Sequence, residues 1–273
     1  MKHITPHFRE AGTGPGVVCI HSNASTSSQW RPLMERLSSD YRVFTPDSLG
    51  AGKSPSWPTD RVVTLRDEVA LLEPVFAAAG DPFFLVGHSY GAAVALVAAL
   101  ARPDRIRAIA VYEPTLFSLL EEEAPGQEAA YGIRSAVADA GAAIDAHDHA
   151  AAAERFIDYW MGAGTWRRMP LARQAPIAAS MINVRGWARA LFSDSTPLQA
   201  FHALNLPVLY MVGAQSPASS RGVARLLTNT LANVKVMEFA ELGHMGPVTH
   251  PEVVNDAVAS FLERNAWTST PPR

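Results

Sequence analysis

Residues 82–101, PFFLVGHSYGAAVALVAALA, constrain the fold more than any other stretch of the chain. PFFLV reads as a buried strand, and AAVALVAALA (Ala92–Ala101) as a helix. A strand that passes into a helix across so few residues needs a turn with no room for side chains two places either side of its apex. Gly87 and Gly91 occupy those places around Ser89, in a G-x-S-x-G pattern. The spacing therefore predicts Ser89 at the apex of a strand-to-helix turn, its hydroxyl lifted clear of the sheet beside a helix N-terminus. The alternative is an ordinary β–α turn with a capping serine.

Strand and helix patterns alternate along much of the chain. GVVCIHS (Gly16–Ser22), YRVFTPD (Tyr41–Asp47), IRAIAVYEP (Ile106–Pro114), PVLYMVG (Pro207–Gly213) and VKVMEF (Val234–Phe239) read as strands. QWRPLMERL (Gln29–Leu37), TLRDEVALLEPVFAAAG (Thr64–Gly80), SSRGVARLLTNTL (Ser219–Leu231) and PEVVNDAVASFLER (Pro251–Arg264) read as helices, the second closed by Gly80. Such alternation implies an α/β fold, a mostly parallel sheet with helices on both faces. From Thr115 to Leu204 no strand pattern occurs, and an Ala-, Trp- and Met-rich segment reads as several short helices. The expected organisation is a core of residues 1–114 and 204–265, an inserted helical lid of residues 115–203, and a tail of residues 266–273 whose TSTPPR (268–273) is expected to be disordered.

Composition narrows the class. The 273 residues are 48% apolar and 18% charged, as in soluble globular proteins. Net charge is −3 and there is no basic stripe, which argues against nucleic acid as a partner. The ten-residue apolar run at Ala92–Ala101 is far short of the roughly 18 residues of a membrane span, so no membrane partner is expected. Cys19, the single cysteine, can form neither an internal disulfide nor a cysteine metal cluster. The opening MKHITPHFRE lacks the apolar stretch of a signal peptide, and a cytoplasmic protein is expected.

A serine hydroxyl is a poor nucleophile at neutral pH and needs a base. ELGHMGP supplies His244, in a loop between the strand VKVMEF and the last helix. His147 and His149 read as lid surface, and His88, although adjacent to Ser89, is expected to point the other way. A second motif competes: Gly52-Lys53-Ser54 looks like the end of a phosphate-binding loop. That loop needs a glycine five residues before Gly52, where Asp47 stands.

Taken together, HSNAS (21–25), DSLGAGKS (47–54), GHSYG (87–91) and GHMGP (243–247) resemble, in order and spacing, the α/β-hydrolase superfamily, over about Gly16 to Leu262. The resemblance implies an α/β-hydrolase fold with Ser89 as nucleophile, His244 as base, and an oxyanion hole formed by the backbone amides of Asn23 and Tyr90. Here Ser22 replaces the glycine usual after the loop histidine, and DSLGAGKS matches a structural loop. The family's acid usually follows the strand that here reads PVLYMVG, in a G-x-x-D pattern, but Gly213-Ala214-Gln215-Ser216 ends in serine. A serine cannot hold charge opposite an imidazolium, so the acid is sought at another strand end. Glu113, at the tip of AVYEP, is the first candidate, as in some branches of the superfamily; Glu241 and Asp194 follow.

A serine nucleophile points to acyl chemistry rather than to the aspartate-dependent dehalogenation or epoxide opening of some relatives. The insertion offers Trp160, Met181 and Trp187 as lining of an apolar pocket, and Tyr90 as part of its floor. The expected activity is hydrolysis of carboxylic esters of small or medium hydrophobic substrates through an acyl-enzyme, without metal or organic cofactor. The alternatives are a C–C bond hydrolase acting on ring-cleavage products, and a non-catalytic ligand receptor on the same fold.

Overall fold

Among the described residues, seven strands form one sheet: β1 (Phe8–Ala11), β2 (Gly16–Ile20), β3 (Arg42–Pro46), β4 (Phe83–His88), β5 (Ile106–Tyr112), β6 (Val208–Gly213) and β7 (Val234–Phe239). The computed structural model describes residues 5–58, 60–123 and 128–266. The strand order is β1-β3-β2-β4-β5-β6-β7. All neighbours pair in parallel except β1, which runs antiparallel to β3 with Phe8 opposite Pro46.

Strands β2, β4 and β6 are buried along their whole length, as central parallel strands covered on both faces must be. Edge strand β7 carries Lys235 and Glu238, charges that discourage pairing with another chain. The sequence reading lacked β1, because four residues with Arg9 and Glu10 at the centre carry no apolar alternation; pairing with β3 supplies what propensity does not.

Helices α1 (Arg31–Leu37), α2 (Leu65–Ala79) and α3 (Tyr90–Ala101) belong to the first half of the core. A capping box opens α2: Asp67 Oδ2 accepts from the Thr64 amide at 2.7 Å, and Thr64 Oγ1 accepts from the Asp67 amide at 3.3 Å. Between β5 and β6 lie α4 (Ser118–Glu123), α5 (Glu128–Asp145), α6 (His149–Met161), α7 (Thr165–Arg168), α8 (Leu171–Ser180) and α9 (Val184–Phe192), with no strand among the described residues of this insert. After β6 come α10 (Ala218–Thr230), α11 (Gly246–Thr249) and α12 (Pro251–Ala266). Of the expected tail, Ala266 instead closes α12 and the rest lies outside the described residues.

One apolar cluster joins α1 and α12 to a face of the sheet through Leu33, Cys19, Val86 and Phe261. The other joins α2, α3 and α10 to the opposite face and continues into the insert, where Ile133, Phe156, Trp160, Trp187 and Leu191 pack. Helix α3 is buried on every side from Tyr90 to Ala99, which is why its sequence shows no amphipathic period. No described helix is long and apolar enough to cross a membrane.

Candidate active site

The turn between β4 and α3 has Ser89 at its apex with φ +57° and ψ −118°, a conformation L-residues rarely adopt. A Cβ on Gly87 would lie 2.6 Å from Ala92 Cα, and one on Gly91 would lie 2.3 Å from the Ile20 carbonyl oxygen. Both glycines are thus required by close backbone approach. The Ser89 amide is held by the Tyr112 carbonyl at 2.9 Å, and the Ala92 and Ala93 amides donate back to the Ser89 carbonyl.

Ser89 Oγ lies 2.9 Å from His244 Nε2, and His244 Nδ1 lies 2.6 Å from Glu113 Oε2. A carboxylate can only accept, so Nδ1 carries the proton and Nε2 is free to accept from the Ser89 hydroxyl. Ser220 Oγ also approaches Nδ1, at 3.2 Å. Glu113 follows β5 with φ +46°, and its amide donates to the Met211 carbonyl. Its carboxylate lies over the end of β6, where Oε1 accepts from the Gly213 amide at 2.7 Å and from Ser216 Oγ at 2.5 Å. The carboxylate is fully buried, and these donors offset the cost of removing its charge from water. Ser216, at the position where the superfamily pattern has its acid, is here a donor to the acid. Glu241 is exposed, and Asp194 accepts from the Thr196 amide; no hydrogen bond or ion pair joins either to His244.

The loop after β2 carries Asn23. His21 pins it: Nδ1 donates to the Ser22 carbonyl at 2.7 Å, and Nε2 accepts from the Ser48 amide at 3.0 Å. Burial lowers the pKa of His21 and keeps it neutral, as this bonding requires. The Ser22 hydroxyl is turned to Gln29 Oε1 at 2.9 Å, and the Ser22 amide reaches the same oxygen at 3.1 Å. The amides of Asn23 and Tyr90 donate to no other described protein group. In the DSLGAGKS loop, burial alone would raise the Asp47 pKa, but donation from the Ser27 and Lys53 amides outweighs it and holds the carboxyl below its ordinary value. A Cβ on Gly52 would lie 2.1 Å from Asp47 Oδ2, so a carboxylate fills the space a phosphate would need.

A narrow cavity opens beside Ser89, Asn23 and His244, with Ile133, Phe156, Trp160, Trp187, Leu191 and Phe192 among its apolar walls. The Trp160 indole stacks on the His244 imidazole, ring centroids 3.9 Å apart. Two expectations fail. Met181 is wholly buried in the apolar cluster and lines no part of the cavity. The Tyr90 side chain is not a floor; it turns into the core, where its hydroxyl donates to Glu68 Oε1 at 3.2 Å.

The family profile described as alpha/beta hydrolase fold matches residues 15–251. The chain belongs to the alpha/beta hydrolase fold family. It is 28% identical to a 2-(acetamidomethylene)succinate hydrolase of Mesorhizobium japonicum over 276 residues, covering 96% of this chain and 93% of that protein. Identity to an epoxide hydrolase of Caballeronia sordidicola is 38% but extends over 112 residues, 39% of this chain and 33% of that protein. The crystal structure of an alpha/beta hydrolase from Sphaerobacter thermophilus superposes with a TM-score of 0.72 at 25% identity, covering 95% of each chain.

Sequence reasoning about this alpha/beta hydrolase missed the groups behind His244. Tyr112 Oη donates to the Gly243 carbonyl at 2.8 Å, and His88 Nε2 donates to the His244 carbonyl at 2.8 Å. Burial pushes the His88 pKa well below its ordinary value, so the ring is neutral and its Nδ1 accepts from Gln29 Nε2 at 3.1 Å. Ser22, Gln29, His88 and His244 therefore form one hydrogen-bonded chain. The available signal was a histidine ending a buried strand, whose two ring nitrogens must each find a partner.

Proposed function

We propose that this alpha/beta hydrolase cleaves carboxylic esters with a small or medium apolar acyl group, by way of an acyl-enzyme on Ser89. His244 Nε2 takes the hydroxyl proton as Oγ attacks the carbonyl carbon. The amides of Asn23 and Tyr90 donate to the oxyanion, each worth about 3 kcal/mol in the transition state. The tetrahedral intermediate collapses as His244 returns the proton to the leaving alkoxide. Water, deprotonated by the same imidazole, then attacks the acyl-enzyme and releases the acid. Throughout, Glu113 holds the Nδ1 tautomer and stabilises the imidazolium. The insert over the cavity serves as the lid that excludes water. Localisation in the cytoplasm is part of the same proposal.

The reading is carried by one observation: an unbroken hydrogen-bonded line from Ser89 Oγ through His244 to a buried carboxylate, 2.9 and 2.6 Å in its two steps. Rapid mixing with p-nitrophenyl butyrate tests it. A burst of p-nitrophenolate close to one equivalent per chain is expected, and Ser89→Ala removes it. An equal rate in Ser89→Ala overturns it.

The full-length likeness to a 2-(acetamidomethylene)succinate hydrolase favours a second reading, in which the same serine attacks an activated amide carbonyl. Faster turnover of 2-(acetamidomethylene)succinate than of p-nitrophenyl butyrate would select it.

A further inference from the structure

The apolar cavity continues into a broad cleft between core and insert; Asn23, Phe156, Trp160, Trp187 and Met245 line both. The charged residues on the cleft wall are Arg61, Arg173, Arg185 and Arg189, and no carboxylate is among the described residues that line it. This one-sided charge occurs in a chain of net charge −3. Arg61 pairs with Asp67 at 2.8 Å and Arg185 with Asp145 at 2.6 Å, both partners lying outside the cleft. Arg173 on α8 and Arg189 on α9 are exposed and form no ion pair with a described residue. The inner cavity carries no arginine or lysine; its titratable lining residue is His244.

We infer that this cleft selects amphiphilic substrates: an apolar acyl group enters the cavity, and an anionic group on the alcohol side stays in the cleft, held by Arg173 and Arg189. This rests on the ester hydrolysis proposed above. A concave surface lined by one sign of charge with apolar walls focuses its field, raising the local concentration of the opposite ion. Ile177, Ile182 and Trp57 supply apolar walls here. An anion is unwelcome deeper in, where no fixed cation would offset its desolvation. Charge in the cleft and none in the cavity therefore orients the substrate as well as attracting it.

Kinetics on a matched pair of esters tests the inference: 4-(butyryloxy)benzoate and its neutral isostere 4-(butyryloxy)benzamide. At low ionic strength the full chain prefers the benzoate in kcat/KM by about fivefold or more, and the preference shrinks as NaCl is raised to about 0.5 M. Arg173→Glu with Arg189→Glu reverses the preference. Arg66→Glu, on exposed α2 surface outside the cleft, retains it. Equal rates on the two esters in wild type, or a preference that survives in the double variant, overturns the inference. Tryptophan-fluorescence titration of Ser89→Ala with each compound separates the two claims. Tighter, arginine-dependent binding of the benzoate supports selection by charge even if wild type hydrolyses neither ester, and equal dissociation constants overturn it even if wild type hydrolyses both.

Discussion

The indole of Trp160 lies over the imidazole of His244, with ring centroids 3.9 Å apart and planes 25° from parallel. The tryptophan comes from α6 of the insert and the histidine from the loop after β7, so this contact ties the insert to the proposed base. When His244 takes the serine proton, the indole face is beside a new cation, an interaction of about 0.5–2 kcal/mol. Trp160→Leu is expected to lower kcat on p-nitrophenyl butyrate by about 3- to 30-fold, with Trp160→Phe intermediate. Unchanged kcat in Trp160→Leu would remove the indole from the mechanism.

Glu113→Gln should reduce kcat by on the order of 10³–10⁴, because the tautomer and the imidazolium lose their partner. Far-ultraviolet circular dichroism should match wild type. Turnover within about tenfold of wild type would mean that another group orients the base.

Ser216 Oγ donates to Glu113 Oε1 at 2.5 Å, so a carboxylate placed at 216 would face another carboxylate. Ser216→Asp alone is expected to lose most activity through like-charge repulsion. Glu113→Ala combined with Ser216→Asp should recover part of the activity lost in Glu113→Ala, since the aspartate would extend from the loop after β6 toward the space vacated by the Glu113 carboxylate. A double variant no faster than Glu113→Ala would show that 216 cannot serve His244.

Breaking the chain behind the base should cost rate rather than affinity. Gln29→Leu leaves His88 Nδ1 and the Ser22 amide without their partners, loosening both the His244 loop and the loop that carries Asn23. A fall of about tenfold in kcat with KM within about twofold is expected, the pattern of lost transition-state interactions. A change confined to KM would place Gln29 outside the catalytic geometry.

Glu68 is buried in α2 and hydrogen-bonded by Tyr90 and the Leu49 amide, yet desolvation pushes its pKa up from 4.5 to about 7. Because the folded value is the higher one, the protonated form favours folding. That contribution is fully present below pH 4.5 and is lost as pH rises through about 7. Glu68→Gln removes it. Urea unfolding should therefore show the stability of Glu68→Gln relative to wild type rising by up to about 3 kcal/mol between pH 4.5 and pH 8. A pH-independent difference would contradict this.

Strand–helix alternation, the tight turn at Ser89 and the unbroken helical insert were legible because each is local: periodicity, paired glycines, absence of strand pattern. What escaped depends on contacts between distant segments. β1 exists because β3 accepts it, not because FREA favours a strand. Met181 and Trp160 look alike as apolar residues of the insert, and only packing turns one inward and the other onto His244. Tyr90 follows Ser89 directly, but its ring leaves the turn toward Glu68. Ser216 read as a missing acid because its partner stands 103 residues away in the chain.

The most direct measurement is the rate of fluorophosphonate labelling, followed by intact-mass spectrometry with the site mapped by peptide digestion. Stoichiometric modification of Ser89 is expected, slowed about 10³-fold or more in Glu113→Gln and absent in Ser89→Ala. An unlabelled wild-type serine, or labelling of Glu113→Gln at the wild-type rate, would contradict the account.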